Sequence, residues 1–454
     1  MGTHVELETP HSYQIFQRDQ DGRASIPVKG RMTEDAEMDL EFTILDLSGN
    51  RLEGFAPIKA AVSERRFEER FTGVPAGLYQ IQITGKTGGT VVFQETIGQV
   101  GAGDIWIFAG QSNAAGYGQY MEGEEIDSSD DDPPEEGVNL YLCNTETWCQ
   151  AVQPVGEVRL PEYHGPSLAF AKEIRKTEHV PVGIIQAAVG GSSITSWLKG
   201  ENYYDRMFGC FDNELPKVKG VFWYQGESET LYTEDGTEPQ NKVNVYVERF
   251  TQIVEDLRRD LSDPDLPVIT VQLNSQTDRD EEQTPAALWY QMREIQRQIG
   301  DPRSPVHIPG TAVIAASDLV LCDTIHNSAN SNVILAKRTA KAALALAYGE
   351  DVPWGQPNLV HAAAQGRMIQ LDFENTAGGL KTVGAVTDFT IRDDEGSVPI
   401  IETEVCKDQV KLTAGRDFTG SVKVDSLASM RPEPTVFNGR NEPILAFYDI
   451  AVQK

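Results

Sequence analysis

Apolar and polar positions change rhythm twice along this chain. Up to about residue 100 they alternate in short runs, as in DLEFTILDLSGN (39–50) and GLYQIQITGKTGGTVVFQETI (77–97), with Gly and Asn between the runs. A period of two, broken by turn residues, predicts strands. From 104 to 349 short, wholly apolar runs take over: DIWIFAG, VNLYL, VPVGIIQAAV, KGVFWYQ, LPVITVQL and GTAVIAAS. Stretches with helical spacing lie between them: SLAFAKEIRK, VNVYVERFTQIVEDLRRDL, AALWYQMREIQRQI and NVILAKRTAKAALALAYG. Runs apolar throughout are strands covered on both faces, the signature of a parallel sheet between helices. After about 355 the alternation returns, in RMIQLDFEN and DQVKLTAG. The pattern predicts an α/β domain at 101–350, preceded by a β-sandwich-like domain at 1–100 and followed by a β domain at 351–454.

The length of 454 residues fits this division, being too long for one ordinary core. The 39 Lys and Arg against 69 Asp and Glu give a net charge of −30, which argues against nucleic acid as a partner. No apolar stretch is long enough to span a bilayer, so no membrane partner is expected. The N-terminus lacks the basic-then-apolar pattern of a secretion leader, and a cytoplasmic location is the expectation for the chain as given. The five cysteines, 143, 149, 210, 322 and 406, have no metal-type spacing and form no disulfide framework. The acidic, Pro-containing stretch MEGEEIDSSDDDPPEEG at 121–137 reads as a solvated loop.

The chemistry gathers where apolar runs end. DIWIFAG runs into Gln111-Ser112-Asn113. In an open α/β sheet ligands meet the carboxyl ends of strands, and a serine there, opening a helix, has free N–H groups around it. A serine hydroxyl needs a base to become a nucleophile. Of the seven histidines only His326, in CDTIHN, has a carboxylate placed by local sequence to orient it, Asp323 three residues earlier. That pair follows the last apolar run. Two further runs end in groups able to hold an oxyanion: Gly190-Gly191 in IIQAAVGGSSITSW and Gln225 in VFWYQGESE. Glu227, in the second block, is a rival to Asp323, and Asp318 a weaker one. Gln111, Asn113 and Gly190 are candidate substrate contacts. G-x-S-x-G, H-E-x-x-H, Walker and G-x-G-x-x-G motifs are all absent, so neither a metal nor an organic cofactor is expected.

Taken together, GDIWIFAGQSN, GIIQAAVGGSSITSW, VFWYQGESE and DTIH, in that order, resemble the SGNH (GDSL-type) hydrolase superfamily. Within it they resemble the sialate O-acetylesterase family of carbohydrate esterases. Flanks at 14–19, 165–170, 336–349 and 434–447 extend the likeness over nearly the whole chain. The resemblance implies a three-layer α/β/α, flavodoxin-like catalytic domain. It implies Ser112 as nucleophile, His326 as general base and acid, and Asp323 as its partner, with Glu227 taking that place in some relatives. Ser112 N–H, Gly191 or Gly190, and Gln225 would form the oxyanion hole. The implied substrate is an O-acetylated sugar, sialic acid first and an acetylated polysaccharide such as xylan second. The rival from another class is a carbohydrate-binding protein on an inactive scaffold. Ala114-Ala115 after GQSN, where relatives carry a methionine or similar residue, departs from the family pattern.

Overall fold

The computed structural model describes residues 5–33, 38–123, 133–211, 217–231, 238–277 and 285–454. The acidic stretch therefore lies largely outside the described residues. One strand, Thr90–Gly110, organises the molecule. Its first half pairs antiparallel with Gly77–Thr87 and leaves most side chains partly or fully exposed; from Val100 onward every residue is buried. The change follows the neighbours. An antiparallel pair can leave one face to water, whereas a strand between parallel neighbours is covered on both. The strand runs unbroken through position 100, where the sequence pattern changes.

Its second half, 104–110, lies between Val182–Gln186 and Gly220–Tyr224, parallel to both. The path across the sheet is Thr147–Gln150, Val138–Leu142, Val182–Gln186, Thr90–Gly110, Gly220–Tyr224, Val268–Gln272, Thr311–Ala315. All six wholly apolar runs of the sequence are strands of this path. The expected parallel sheet is nonetheless mixed. Thr147–Gln150 returns antiparallel along Val138–Leu142 at one edge. The antiparallel pairs of the N-terminal region join through Gly77–Thr87. Helix Ser167–Glu178 packs on the strands at 138–142 and 182–186 and against helix Ala329–Ala343. Helix Ala286–Gly300 packs on the strands at 268–272 and 311–315. Helix Tyr246–Asp260 buries Phe250, Ile253, Val254 and Leu257, the i, i+3, i+4, i+7 stripe of an amphipathic helix.

The N-terminal region has its own buried cluster around Ile26, Phe42, Phe71 and Ile81. The C-terminal region, 358–451, holds two four-stranded sheets around Ile369, Leu412, Val424 and Phe447. It is bonded to the central sheet: Gln272 donates to the Ala446 carbonyl and accepts its N–H, both at 2.9 Å. Arg293, fully buried, donates to the carbonyls of Leu273, Asn274, Leu427 and Ser429, bridging the same two regions. Among the described residues no helix is long and apolar enough to cross a membrane.

Candidate active site

The central strand stops at Gly110, and the reason is steric. Gly110 has φ +121°, and a Cβ there would sit 2.2 Å from the Tyr224 carbonyl oxygen of the next strand. Only glycine lets the chain turn so close to its neighbour. The turn delivers Ser112 as the first residue of a four-residue helix, Ser112–Ala115. Gln111 donates its N–H to that same Tyr224 carbonyl at 2.9 Å. Its side-chain oxygen accepts from Ser228 N–H at 3.2 Å and from Gln225 at 3.4 Å. Gln111 thus bonds two adjacent strand ends together.

His326 reaches the serine from a different quarter. It lies in a tight loop after the last strand of the path, closed by Cys322 N–H to the His326 carbonyl at 2.9 Å. Ser328 caps the helix that follows, accepting Ser331 N–H at 3.2 Å. Within the loop Asp323 Oδ1 accepts the N–H groups of Ile325 and His326 at 2.8 and 2.7 Å, and Oδ2 stands 2.6 Å from His326 Nδ1. The other ring nitrogen, Nε2, stands 2.8 Å from Ser112 Oγ. Residues 214 positions apart therefore meet at hydrogen-bond distance. Burial pushes the Asp323 carboxyl upward. The two backbone N–H groups and His326 outweigh it, so Asp323 ionises below the usual carboxylate range. An Asp323 carboxylate beside Nδ1 favours the tautomer with its proton on Nδ1, in which Nε2 faces the hydroxyl.

The remaining sequence-predicted residues divide by what they touch. Gly191 is exposed at φ +69° with open space around it. Gly190 is closed in: a Cβ there would meet the Tyr117 hydroxyl at 2.6 Å. The N–H groups of Ser112 and Gly191 have no intrachain acceptor among the described residues. Gln225 is fully buried, and its amide donates to Glu229 and to the Ser192 carbonyl. As placed it braces the strand end from beneath, because its donors are already spent. Gln111 and Asn113 are likewise buried and hydrogen-bonded to protein partners. Glu227 does not touch His326. It accepts from Asn113 Nδ2 at 3.0 Å, and its Oε2 has no protein partner among the described residues. Burial raises its carboxyl to about 7, only partly offset by Asn113. Asp318 is taken by Arg338, at 2.7 Å through each oxygen.

Three participants went unread in the sequence. Glu229 is buried and accepts the Ile194 N–H at 2.8 Å, anchoring the loop that carries Gly190 and Gly191. Its signal was present, a second acid in the QGESE block, but nothing local distinguishes a loop anchor from a surface charge. Asn327, beside His326, is held by Asn274 at 2.7 Å. Tyr117 packs its ring 5.6 Å from the His326 ring and stacks on Tyr163 at 5.1 Å, walling one side of the site. Among the described residues no group of three His, Cys, Asp or Glu side chains is placed to hold a metal ion.

Comparison with known proteins adds a second line. Residues 102–345 match the family model described as carbohydrate esterase, sialic acid-specific acetylesterase. A probable carbohydrate esterase of Arabidopsis thaliana is 31% identical over 189 residues, covering 38% of this chain and 69% of that protein. The sialate O-acetylesterases of Pongo abelii and Homo sapiens are each 23% identical over 300 residues, covering 55% of this chain. The chain spans about half of their length, 54%. The crystal structure of a carbohydrate acetylesterase from Xanthomonas citri superposes with a TM-score of 0.70 at 23% identity, covering 96% of this chain and 97% of that one. That likeness extends to the fold of the whole molecule, β regions included.

Proposed function

Since this chain belongs to the sialic acid-specific acetylesterase family of carbohydrate esterases, and is thereby a carbohydrate acetylesterase, we propose that its substrate is O-acetylated sialic acid and its nucleophile Ser112. The observation that carries the nucleophile is the chain of contacts Ser112 Oγ, His326 Nε2, His326 Nδ1, Asp323 Oδ2, at 2.8 and 2.6 Å. Ser112 Oγ attacks the acetyl carbonyl carbon while Nε2 takes the hydroxyl proton. The carbonyl oxygen becomes an oxyanion, held by the N–H groups of Ser112 and Gly191, with Gln225 supporting the strand end beneath them. His326 returns the proton to the sugar oxygen, the C–O bond to the sugar breaks, and the acetyl group remains on Ser112. A water then gives its proton to Nε2 and attacks the acetyl carbon. Collapse of that intermediate releases acetate and restores the serine. No step calls for a cofactor.

The fold proposed for 101–350 is a three-layer α/β/α domain, with 1–100 and 351–454 as separate β domains. Parallel pairing among the central strands, and a buried apolar cluster in each β region, support it. An acetylated neutral polysaccharide is the second substrate reading, favoured by the net charge of −30, which opposes approach of an anionic sugar. Acetate release from O-acetylated sialic acid and from acetylated xylan, measured side by side, separates the two. Ser112→Ala should release no acetate from either. Turnover by that variant at the parent rate would end the nucleophile assignment.

A further inference from the structure

One carboxamide ties the serine segment to the histidine loop. Asn113 follows Ser112 directly and is buried. Its Oδ1 accepts the Asn327 N–H at 3.0 Å, and its Nδ2 donates to the Ile325 carbonyl at 3.3 Å. Those groups belong to the two peptide bonds of His326, so a single planar amide grips the backbone on both sides of the imidazole. The other Nδ2 hydrogen goes to Glu227 Oε1 at 3.0 Å. A peptide N–H only donates and a peptide carbonyl only accepts, so Asn327 and Ile325 fix which end of the carboxamide is nitrogen, and Glu227 takes the remaining hydrogen. Apart from the contact of the His326 ring with Ser112 Oγ, the remaining ties of the loop are internal or run elsewhere. Asp323 bonds its own turn, Cys322 bonds the His326 carbonyl, and Thr277 N–H bonds the Thr324 carbonyl at 2.9 Å. None of these ends on residues 111–113.

We propose that Asn113 is a positioning residue for His326. Its carboxamide sets the separation of imidazole and serine hydroxyl, and Glu227 holds the carboxamide's remaining hydrogen. This rests on Ser112 and His326 being the reacting pair. The argument is geometric. Nε2 and Oγ stand 2.8 Å apart but are carried by segments joined through no shared element, and a displacement of about 1 Å between reacting groups costs about 100-fold in rate. Asn113 contacts neither Nε2 nor Oγ, so its effect runs wholly through the backbone of the loop.

The test is steady-state hydrolysis of p-nitrophenyl acetate by the full chain, with Ser112→Ala as control and circular dichroism to establish folding. Asn113→Ala should lower kcat about 100-fold with KM within about threefold. Asn113→Asp keeps the acceptor for Asn327 but turns an oxygen toward the Ile325 carbonyl and Glu227, and should fall about as far. Adding Glu227→Gln to Asn113→Asp puts a donor back into that contact and should recover about tenfold, a rescue that loss of packing alone would not give. A folded Asn113→Ala with kcat within about threefold of the parent, beside an inactive Ser112→Ala, overturns the proposal and leaves the nucleophile standing. If Asn113→Ala does not fold, the Asn113→Asp pair decides, and absence of rescue overturns it. An active Ser112→Ala overturns the reading of the site and this proposal with it.

Discussion

Replacing Glu227 with glutamine exchanges a buried carboxyl for its neutral isostere, and the structure sets the size of the effect. Glu227 is 1% exposed, one of its oxygens has no protein partner among the described residues, and Glu229 adds a like charge nearby. Burial moves its ionisation from an ordinary 4.5 to about 7. That interval, at about 1.4 kcal/mol per pH unit, corresponds to about 3 kcal/mol. The sign follows from proton counting. Between pH 4.5 and about 7 the folded chain still holds a proton that the unfolded chain has lost. Stability therefore falls as pH rises through this window, and the whole penalty is present above it. Urea unfolding of the parent and of Glu227→Gln, at steps from about pH 4.5 to 8, isolates the effect, because every other titrating group is common to both. The variant should gain about 3 kcal/mol on the parent across that range. Curves that stay parallel would refute the reasoning, since they would mean that Glu227 ionises in the folded chain as it does in water.

Three other outcomes are expected. Asp323→Asn should lower kcat about 10³–10⁴-fold, because an amide in place of the anion 2.6 Å from Nδ1 no longer fixes the imidazole tautomer; an effect smaller than that of Glu227→Gln would reverse their roles. Gly110→Ala should destabilise the chain by at least about 2 kcal/mol in thermal unfolding, since its Cβ would lie 2.2 Å from the Tyr224 oxygen at φ +121°; an unchanged melting temperature would show that the strand end has room to shift. Arg293→Leu should cost at least about 3 kcal/mol, because it strips the donor from three buried carbonyls and one partly buried, read as a lower urea midpoint; a neutral result would mean that the C-terminal region is not held by this residue.

Much of the strand pattern could be read locally because each apolar run is covered on both faces. VNLYL is strand Val138–Leu142 residue for residue, and AALWYQMREIQRQI is helix Ala286–Gly300 short of one position. The edge strand Thr147–Gln150 could not be read so. Four residues with one buried side chain are too few to show a period, and only pairing with 138–142 makes them a strand. The site was legible where chemistry is local: Asp323 and His326 lie three positions apart and one turn joins them. Gln225, Gln111 and Asn113 were read as groups facing the substrate; their partners within the protein could not be read, because no local feature tells a bonded amide from a free one.

From its residues alone the chain determined its wholly apolar strands, its principal helices and a serine, a histidine and an aspartate at the ends of apolar runs. Local periodicity and turn chemistry depend on neighbours a few positions away, and these are visible in order. Tertiary structure alone decided which acid meets the imidazole, which amides brace the site, and that Asn113 grips both peptide bonds of His326. The grip of Asn113 depends on which donor finds which acceptor across more than two hundred residues, and order along the chain does not show that match.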